Sequence, residues 1–197
     1  MIVIRALEDK ILKEGEILPG NILKVGSFLN QQIDTNMLRL MGEEMKRLFA
    51  DDNVTKILTI EASGIAIAVG AAFAMDVPVV FAKKNRSHNV SGEILTTQVE
   101  SFTHKTVNTI VVSKEFIRPE DRILIVDDFL ANGKALEGLI GLVEQAGATF
   151  VGACIAIEKG FQNGGDSLRE KGYRIESLAI VDSMTDNSIA FRPQNNG

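Results

Sequence analysis

A short apolar run in the middle of the chain ends in two adjacent carboxylates, and this arrangement restricts the fold more than any other feature. Residues 123–126 (Ile-Leu-Ile-Val) precede Asp127 and Asp128, and an amphipathic segment follows from Gly133 to residue 146. A continuous, β-branched run is typical of a strand buried on both faces of a sheet. The apolar stripe of the following segment has helical spacing. The loop between them is therefore expected at the carboxyl end of a strand, where open α/β sheets bind ligands.

The chemistry of this loop predicts a ligand with two different ends. Backbone N–H groups at the start of a helix have no partner within the helix, and the helix dipole favours an anion there. Two carboxylates would repel a phosphate, but they suit hydroxyl groups or a metal ion. A ligand with a phosphate at one end and a vicinal diol further along, such as ribose 5-phosphate, meets both requirements.

The chain alternates between strand and helix patterns, which predicts a mainly parallel sheet flanked by helices with right-handed crossovers. We expect helices at residues 4–14, 34–48, 64–75, 133–146 and 164–171, and strands at 56–60, 79–82, 123–126, 150–157 and 174–181. Two further runs, 97–102 and 109–113, predict a hairpin with residues 104–106 in its turn. Asp34 is expected to cap the second helix. Residues 17–33 are expected to be irregular, and the tail 193–197 to be disordered.

The composition excludes several classes of protein. The net charge is −5, and no basic cluster with interleaved aromatic residues is present, so we expect no nucleic-acid partner. Cys154 is the only cysteine, so no disulfide can form within the chain, and a reducing cytoplasmic setting is expected. Residues 64–82 are almost entirely apolar, but Asp76 and Pro78 interrupt them. This interruption predicts a buried helix and strand, and no membrane span.

Residues 123–135 resemble the phosphoribosyl-diphosphate motif of the type I phosphoribosyltransferases. The shared pattern is an apolar strand, two acids and a small-residue loop that enters a helix. The chain departs from it at Asn132, Lys134 and Ala135, where the family usually has Thr or Ser, Gly and Thr. Asp-Asp-Phe-Leu-Ala-Asn-Gly is similar instead to the branch of the family that acts on xanthine. Residues 24–30 (Lys-Val-Gly-Ser-Phe-Leu-Asn), 59–66 (Thr-Ile-Glu-Ala-Ser-Gly-Ile-Ala) and 158–161 (Glu-Lys-Gly-Phe) extend the resemblance over nearly the whole chain.

The resemblance implies an α/β fold with a mainly parallel central sheet flanked by helices, a small N-terminal hood and a mobile loop. One domain is expected over residues 1–197, with the hood at about 1–33, the core at about 34–182 and the mobile loop at about 83–96. The implied enzyme is a cytoplasmic homodimer of purine salvage. It would transfer the 5-phosphoribosyl group of phosphoribosyl diphosphate to xanthine, giving xanthosine 5′-monophosphate and pyrophosphate. Mg²⁺ would be held mainly by the substrate and not by the protein alone.

The resemblance also assigns roles to individual residues. Asp127 and Asp128 are expected to be catalytic, because they would orient the ribose hydroxyls and stabilise positive charge near C1. The expected phosphoribosyl-diphosphate ligands are Ala131, Asn132, Gly133, Lys134 and Ala135 around the 5′-phosphate, and Ala62, Ser63, Lys83 and Lys84 around the diphosphate. The bond between Glu61 and Ala62 is expected to be a cis peptide. Ser87, His88 and Asn89 are candidates to approach the substrate from the mobile loop.

The purine is expected to lie beside Lys159 and Phe161, which follow a predicted strand, and beside Leu23 and Asn30 of the hood. An aromatic face can stack on a purine. An ammonium group only donates hydrogen bonds, so it suits the carbonyl oxygens of an oxopurine and fits the amine of adenine poorly. Two alternatives stay open. One is a transferase for guanine, hypoxanthine or adenine, and the other is a non-catalytic regulatory protein of the same fold that senses phosphoribosyl diphosphate.

Overall fold

The structure is a computed structural model that describes residues 2–84, 92–100, 107–185 and 188–194. The expectations for Ser87, His88 and Asn89, for the turn at 104–106 and for the last three residues of the tail lie outside the described residues. The expected mobile loop at 83–96 lies partly outside them and stays a prediction.

The helices and strands alternate as the sequence predicts. The helices are α1 (Ile2–Glu14), α2 (Thr35–Leu48), α3 (Ser63–Met75), α4 (Lys134–Gln145) and α5 (Gly164–Glu170). The strands are β1 (Glu16–Leu18), β2 (Ile22–Lys24), β3 (Lys56–Ile60), β4 (Val79–Lys84), β5 (Ile94–Glu100), β6 (Val107–Ser113), β7 (Arg122–Leu130), β8 (Thr149–Lys159), β9 (Ile175–Thr185) and β10 (Ser188–Phe191).

The central sheet has the strand order β10-β9-β8-β7-β3-β4-β6-β5. Strands β9, β8, β7, β3 and β4 are parallel, while β10 at one edge and β6 and β5 at the other are antiparallel to their neighbours. The mainly parallel sheet is therefore confirmed. The chain leaves β3 through α3 towards β4, and it leaves β7 through α4 towards β8 on the other side. The adjacent strands β3 and β7 thus form a topological switch point, with a crevice at their carboxyl ends.

The continuous apolar strands are explained by two hydrophobic cores, one on each face of the sheet. Leu124 and Val126 of β7 face α1, α2 and α3, whereas Ile123 and Ile125 face α4 and α5. Asp34 caps α2 as predicted, since its Oδ1 accepts hydrogen bonds of 3.0 Å from the backbone N–H groups of residues 36 and 37. None of the described helices has the length and apolarity needed to cross a membrane.

The expectation that residues 17–33 are irregular was wrong. They contain the antiparallel hairpin β1–β2 and a π-helical turn, Gly26–Asn30, which buries Phe28 and Leu29. The hairpin turns at Gly20 and Asn21, whose φ angles are 85° and 61°. Each hairpin strand has only three residues, which is too short for a clear alternating pattern.

Candidate active site

The switch point between β3 and β7 opens into a cavity of about 240 Å³. Its lining from the two strand ends and the loops after them comprises Ile60, Glu61, Ser63, Asp127, Asp128, Phe129, Leu130, Ala131, Asn132, Gly133, Ala135 and Leu136. Other lining residues come from β4, from the β5–β6 hairpin and from β8: Lys84, Val99, Asn108, Ile110 and Ile155. The two segments that sequence reasoning singled out separately therefore share one cavity.

The two acids belong to β7 itself, which continues to Leu130, four residues beyond the predicted end. Strand β8 continues beside it, with Asp127 paired to Ile155 and Leu130 paired to Glu158. Both carboxylates are buried, with about 8% of each residue exposed. The backbone N–H of Asp128 donates to Asp127 Oδ1 over 2.9 Å. The acids thus have a fixed backbone and not the freedom of a loop.

The two acids have different neighbours. The pKa of the Asp127 carboxyl is raised well above its usual range. The main cause is burial, and the second is the negative charge of Asp128, while the positive charge of Lys84 lowers the pKa. Asp128 Oδ2 accepts a hydrogen bond from Asn30 Nδ2 at 3.4 Å. This bond links the N-terminal segment of the chain to the acid pair across 98 residues of sequence.

The loop after β7 faces the cavity and leads into α4. Asn132 Oδ1 accepts a hydrogen bond of 3.1 Å from the backbone N–H of Lys134, while Lys134 Nζ contacts Glu137 Oε2 at 2.9 Å. Gly133 has a φ of 83°, a left-handed conformation that a residue with a Cβ adopts at a cost. The α4 N-terminus is therefore presented to the cavity by a tight turn, and Lys134 is the one of these predicted residues that does not line the cavity.

The end of β3 forms the opposite wall. The peptide bond between Glu61 and Ala62 is cis, as the resemblance implies, and α3 begins at Ser63. Glu61 Oε1 accepts a hydrogen bond of 2.6 Å from the backbone N–H of Lys84, which ties the ends of β3 and β4 together. Ser63 and Lys84 line the cavity, while Ala62 and Lys83 are not among the lining residues.

The four predicted purine-binding residues lie outside the lining of this cavity, and two of them reach its edge. Asn30 contacts Asp128, as described above. Lys159 Nζ donates to the carbonyl oxygen of Asn21 over 3.0 Å and lies 5.7 Å from the centroid of the Phe129 ring, and Phe129 lines the cavity. Burial lowers the pKa of the Lys159 ammonium. Leu23 is buried and Phe161 is half-buried, both in the core that faces α1, α2 and α3.

Sequence reasoning missed several contributors to the site. It gave no role to the side chain of Glu61, to the Phe129 ring or to the hairpin residues Val99 and Asn108. Glu61 and Phe129 are next to predicted site residues, so their positions were a usable signal. Val99 and Asn108 gave no such signal, because only the strand order of the sheet brings the β5–β6 hairpin to the cavity.

The cavity offers carboxylates to a cation but no protein cage. Within the described ranges, no group of three or more His, Cys, Asp or Glu side chains could hold a metal ion. Glu61, Asp127 and Asp128 line the cavity as acidic side chains. Mg²⁺ is commonly bound by one or two carboxylates together with substrate phosphates and water. These three side chains therefore fit an ion that is bound by both the protein and the substrate. The arrangement can bind an elongated anion that carries hydroxyl groups between its ends.

Comparison with known proteins gives a consistent result. Residues 30–184 match the phosphoribosyl transferase domain family. A relative from Lachnoclostridium phytofermentans, named xanthine phosphoribosyltransferase, is 56% identical over 188 residues, which cover 94% of this chain and 97% of that protein. A relative of the same name from Oceanobacillus iheyensis is 49% identical and covers 95% of this chain and 97% of its own length.

Solved structures share the fold at lower identity. The adenine phosphoribosyltransferase of Giardia lamblia, solved with 9-deazaadenine, has a TM-score of 0.76 at 21% identity and covers 92% of this chain and 98% of its own. The adenine phosphoribosyltransferase of Rhodothermus marinus has a TM-score of 0.73 at 23% identity, with 91% of this chain and 99% of that chain covered. These similarities support the fold alone.

Proposed function

Because the chain belongs to the phosphoribosyltransferase family, we propose that it is a purine salvage enzyme that acts on xanthine. It transfers the 5-phosphoribosyl group of phosphoribosyl diphosphate to a ring nitrogen of the purine, giving xanthosine 5′-monophosphate and pyrophosphate. The observation that carries this proposal is the cavity in which a buried acid pair and two helix starts meet. That combination is complementary to a sugar with hydroxyl groups between two phosphate-bearing ends.

The loop from Ala131 to Ala135 and the start of α4 are proposed to hold the 5′-phosphate. Free N–H groups and the helix dipole provide the attraction, and the tight turn at Gly133 allows close approach of the backbone. Ala62, Ser63, Lys83 and Lys84 are proposed to hold the diphosphate on the opposite wall. Ser63 and Lys84 support this assignment because they line the cavity.

Asp127 and Asp128 are proposed to act on the sugar between these ends. As the C1–oxygen bond to pyrophosphate breaks and the bond to the purine nitrogen forms, positive charge develops near C1. The Asp127 carboxylate accepts from the backbone N–H of Asp128, and the Asp128 carboxylate accepts from Asn30, so both are pre-oriented to stabilise that charge and to accept hydrogen bonds from ribose hydroxyls. The acidic side chains that line the cavity would help to hold Mg²⁺, which would be bound mainly by the substrate and would supply positive charge to the leaving pyrophosphate.

Leu23, Asn30, Lys159 and Phe161 are proposed to bind the purine at the edge of the cavity. The ammonium of Lys159 lies near the Phe129 ring and carries donors only, which favours an oxopurine. Asn30 offers both a donor and an acceptor, and its contact with Asp128 brings the base site next to the sugar site.

One assay tests the substrate assignment. The protein is incubated with Mg²⁺, phosphoribosyl diphosphate and each of xanthine, guanine, hypoxanthine and adenine separately, and the nucleotide formed is identified. Xanthine is expected to give the highest kcat/KM, and adenine negligible turnover. If adenine is the best substrate, the proposed role of Lys159 is wrong. If no base is converted although phosphoribosyl diphosphate binds, the regulatory alternative holds.

We also propose that the protein is a cytoplasmic homodimer. The cytoplasm fits a chain whose single cysteine is buried, and burial raises the pKa of its thiol. Phe73 on α3 is 85% exposed beside a surface groove of about 410 Å³ lined by Val69, Val77 and Val79. Such an apolar surface is typical of an interface between protein chains.

Light scattering of the wild type and of two variants tests the dimer. Phe73→Ser is expected to lower the measured mass towards that of a monomer. Leu12→Ser is the matched control, because Leu12 is also exposed, at 57%, but lies on α1, which packs against α2 and β9. A wild-type mass of one chain at working concentration would refute the proposal.

A further inference from the structure

Helix α5 packs against the back of the loop whose front lines the cavity. At Gly164, an added Cβ would lie 2.6 Å from Asn132 C and from Gly133 N, and nearer still to the carbonyl oxygen of Ala131. Real Cβ atoms essentially never approach other atoms so closely, so a side chain here would displace the loop. A second contact comes from the buried Leu168, whose Cδ1 would lie 3.1 Å from a Cβ added at Gly133. The loop therefore rests on α5 at two points.

A buried ion pair fixes the position of α5 in turn. Glu158 of β8 is completely buried and accepts from Arg169 Nη1 at 3.0 Å, from Arg169 Nη2 at 2.6 Å and from Ser177 Oγ at 2.5 Å. Arg169 Nε also donates to the carbonyl oxygen of Ile175 over 3.0 Å. A two-point contact between a guanidinium and a carboxylate restricts both distance and orientation. Helix α5 is thus attached to β8 and β9 in one defined orientation.

Helix α5 packs closely against Glu158 of β8 at Gly165. A Cβ added at Gly165 would lie 2.5 Å from Glu158 Cδ and 2.8 Å from Arg169 Nη1. Glu158 is also the register partner of Leu130, the last residue of β7 before the loop. The carboxylate that holds α5 therefore lies beside the strand from which the loop departs. Loop, helix and ion pair form one packed unit.

We propose that Gly164 and Arg169 are positioning residues for phosphoribosyl diphosphate: they hold the 131–135 loop so that its N–H groups point at the 5′-phosphate. This inference rests on the proposed function of that loop. Neither residue lines the cavity, so they act through the loop and not on the ligand. Misplacing a bound group by about 1 Å can cost about 100-fold in rate, so a small shift of the loop is sufficient to be measured.

The first test is calorimetric titration of the full chain with phosphoribosyl diphosphate and Mg²⁺. Gly164→Ala is expected to weaken binding about tenfold or more, the effect of losing one hydrogen bond to a charged group. Gly141→Ala is the matched control, because an added Cβ at Gly141 of α4 meets no atom within 4 Å. A second control, Ile123→Val at the opposite end of β7, lowers stability without touching the loop. Both controls are expected to bind with wild-type affinity.

Steady-state kinetics separate positioning from a general loss of structure. In Gly164→Ala, the KM for phosphoribosyl diphosphate is expected to rise while the KM for xanthine stays at its wild-type value. If both KM values rise together, or if Gly164→Ala binds phosphoribosyl diphosphate as the wild type does, the inference is refuted. If the wild type itself shows no binding, the proposed function fails, which is a different result.

A second pair of variants applies if Gly164→Ala does not fold. Glutamine is shorter than arginine, so Arg169→Gln introduces no clash. Arg169→Gln is expected to weaken phosphoribosyl-diphosphate binding about tenfold, again the scale of one charge-assisted hydrogen bond. Arg169→Lys is expected to recover part of that loss, because a lysine still neutralises Glu158 but cannot make the two-point contact. Unchanged affinity in Arg169→Gln, or no recovery in Arg169→Lys, would contradict the inference.

Discussion

Replacing Lys159 by methionine tests the proposed base selectivity most directly. Methionine keeps the apolar stem that packs at the cavity edge and removes only the ammonium group. That ammonium donates to the carbonyl oxygen of Asn21 at 3.0 Å and lies 5.7 Å from the Phe129 ring, so it is fixed next to the cavity. Losing one charge-assisted hydrogen bond to xanthine costs about 1.5–3 kcal/mol, or about 10- to 150-fold in kcat/KM.

The loss should depend on the base. Xanthine presents two carbonyl oxygens and is more acidic than hypoxanthine, so a positive side chain in a partly dry pocket gains more from it. Lys159→Met is therefore expected to lower kcat/KM for xanthine more than for hypoxanthine. Parallel kcat/KM measurements with the two bases provide the comparison.

Folding should not account for the loss. Burial lowers the pKa of the Lys159 ammonium in the folded state, so its charged form destabilises the fold at every pH below that folded pKa. Methionine removes this destabilisation. We therefore expect the melting temperature of Lys159→Met at neutral pH to equal or exceed that of the wild type. Lys114→Met is a suitable control, because Lys114 is exposed, pairs with Glu93 and is not among the residues that line the cavity. Equal losses for the two bases, or no loss for xanthine, would refute the assignment of Lys159.

Three further predictions concern the sugar and phosphate sites. Asp128→Asn is expected to leave the circular dichroism spectrum unchanged and to lower kcat by about 100-fold, because the charge near C1 is lost; wild-type turnover in the folded variant would contradict this role. Gly133→Val forces a β-branched residue into a φ of 83°, and its Cβ would lie 3.1 Å from Leu168 Cδ1. Calorimetry should then show weaker binding of phosphoribosyl diphosphate while circular dichroism stays near that of the wild type, and unchanged affinity would count against the phosphate cradle. Because burial and Asp128 raise the folded pKa of Asp127 above its unfolded value, the wild type loses stability as pH rises through that interval. Asp127→Asn should therefore raise the melting temperature at neutral pH but not at pH values below the unfolded pKa, and an equal change at both pH values would show that ionisation is not the cause.

Local patterns were sufficient to predict most of the elements. The cap at Asp34, the helix stripe after Gly133 and the apolar strands depend on neighbours within a few residues, and the structure has each of them. The end of β7 was placed too early, because carboxylates are rarely found in buried strands. Its true end at Leu130 is fixed by pairing with β8, an interaction between residues about 28 positions apart.

The last strand and the N-terminal hairpin show the same limit. Strand β10 was not predicted, since its four residues gain their order from antiparallel pairing with β9. The hairpin at residues 16–24 carries a salt bridge between Lys24 and Glu16, at 2.8 Å, and such a pair has no periodic signature in the sequence. The contact of Asn30 with Asp128 spans 98 residues and could not be read from either segment.

The site depends on one fact that no local pattern contains, namely that β3 and β7 are neighbours. Each strand alone leads to a helix start, and each start alone predicts one anion site. Only their adjacency, with α3 and α4 leaving in opposite directions, places the two helix starts on opposite walls of one crevice. The acids at the end of β7 then lie between those walls and not beside a single phosphate. This order of groups matches a ligand with a diphosphate at one end, hydroxyl groups in the middle and a phosphate at the other end. Ribose 5-phosphate has only one phosphate, so it would leave the start of α3 without an anion.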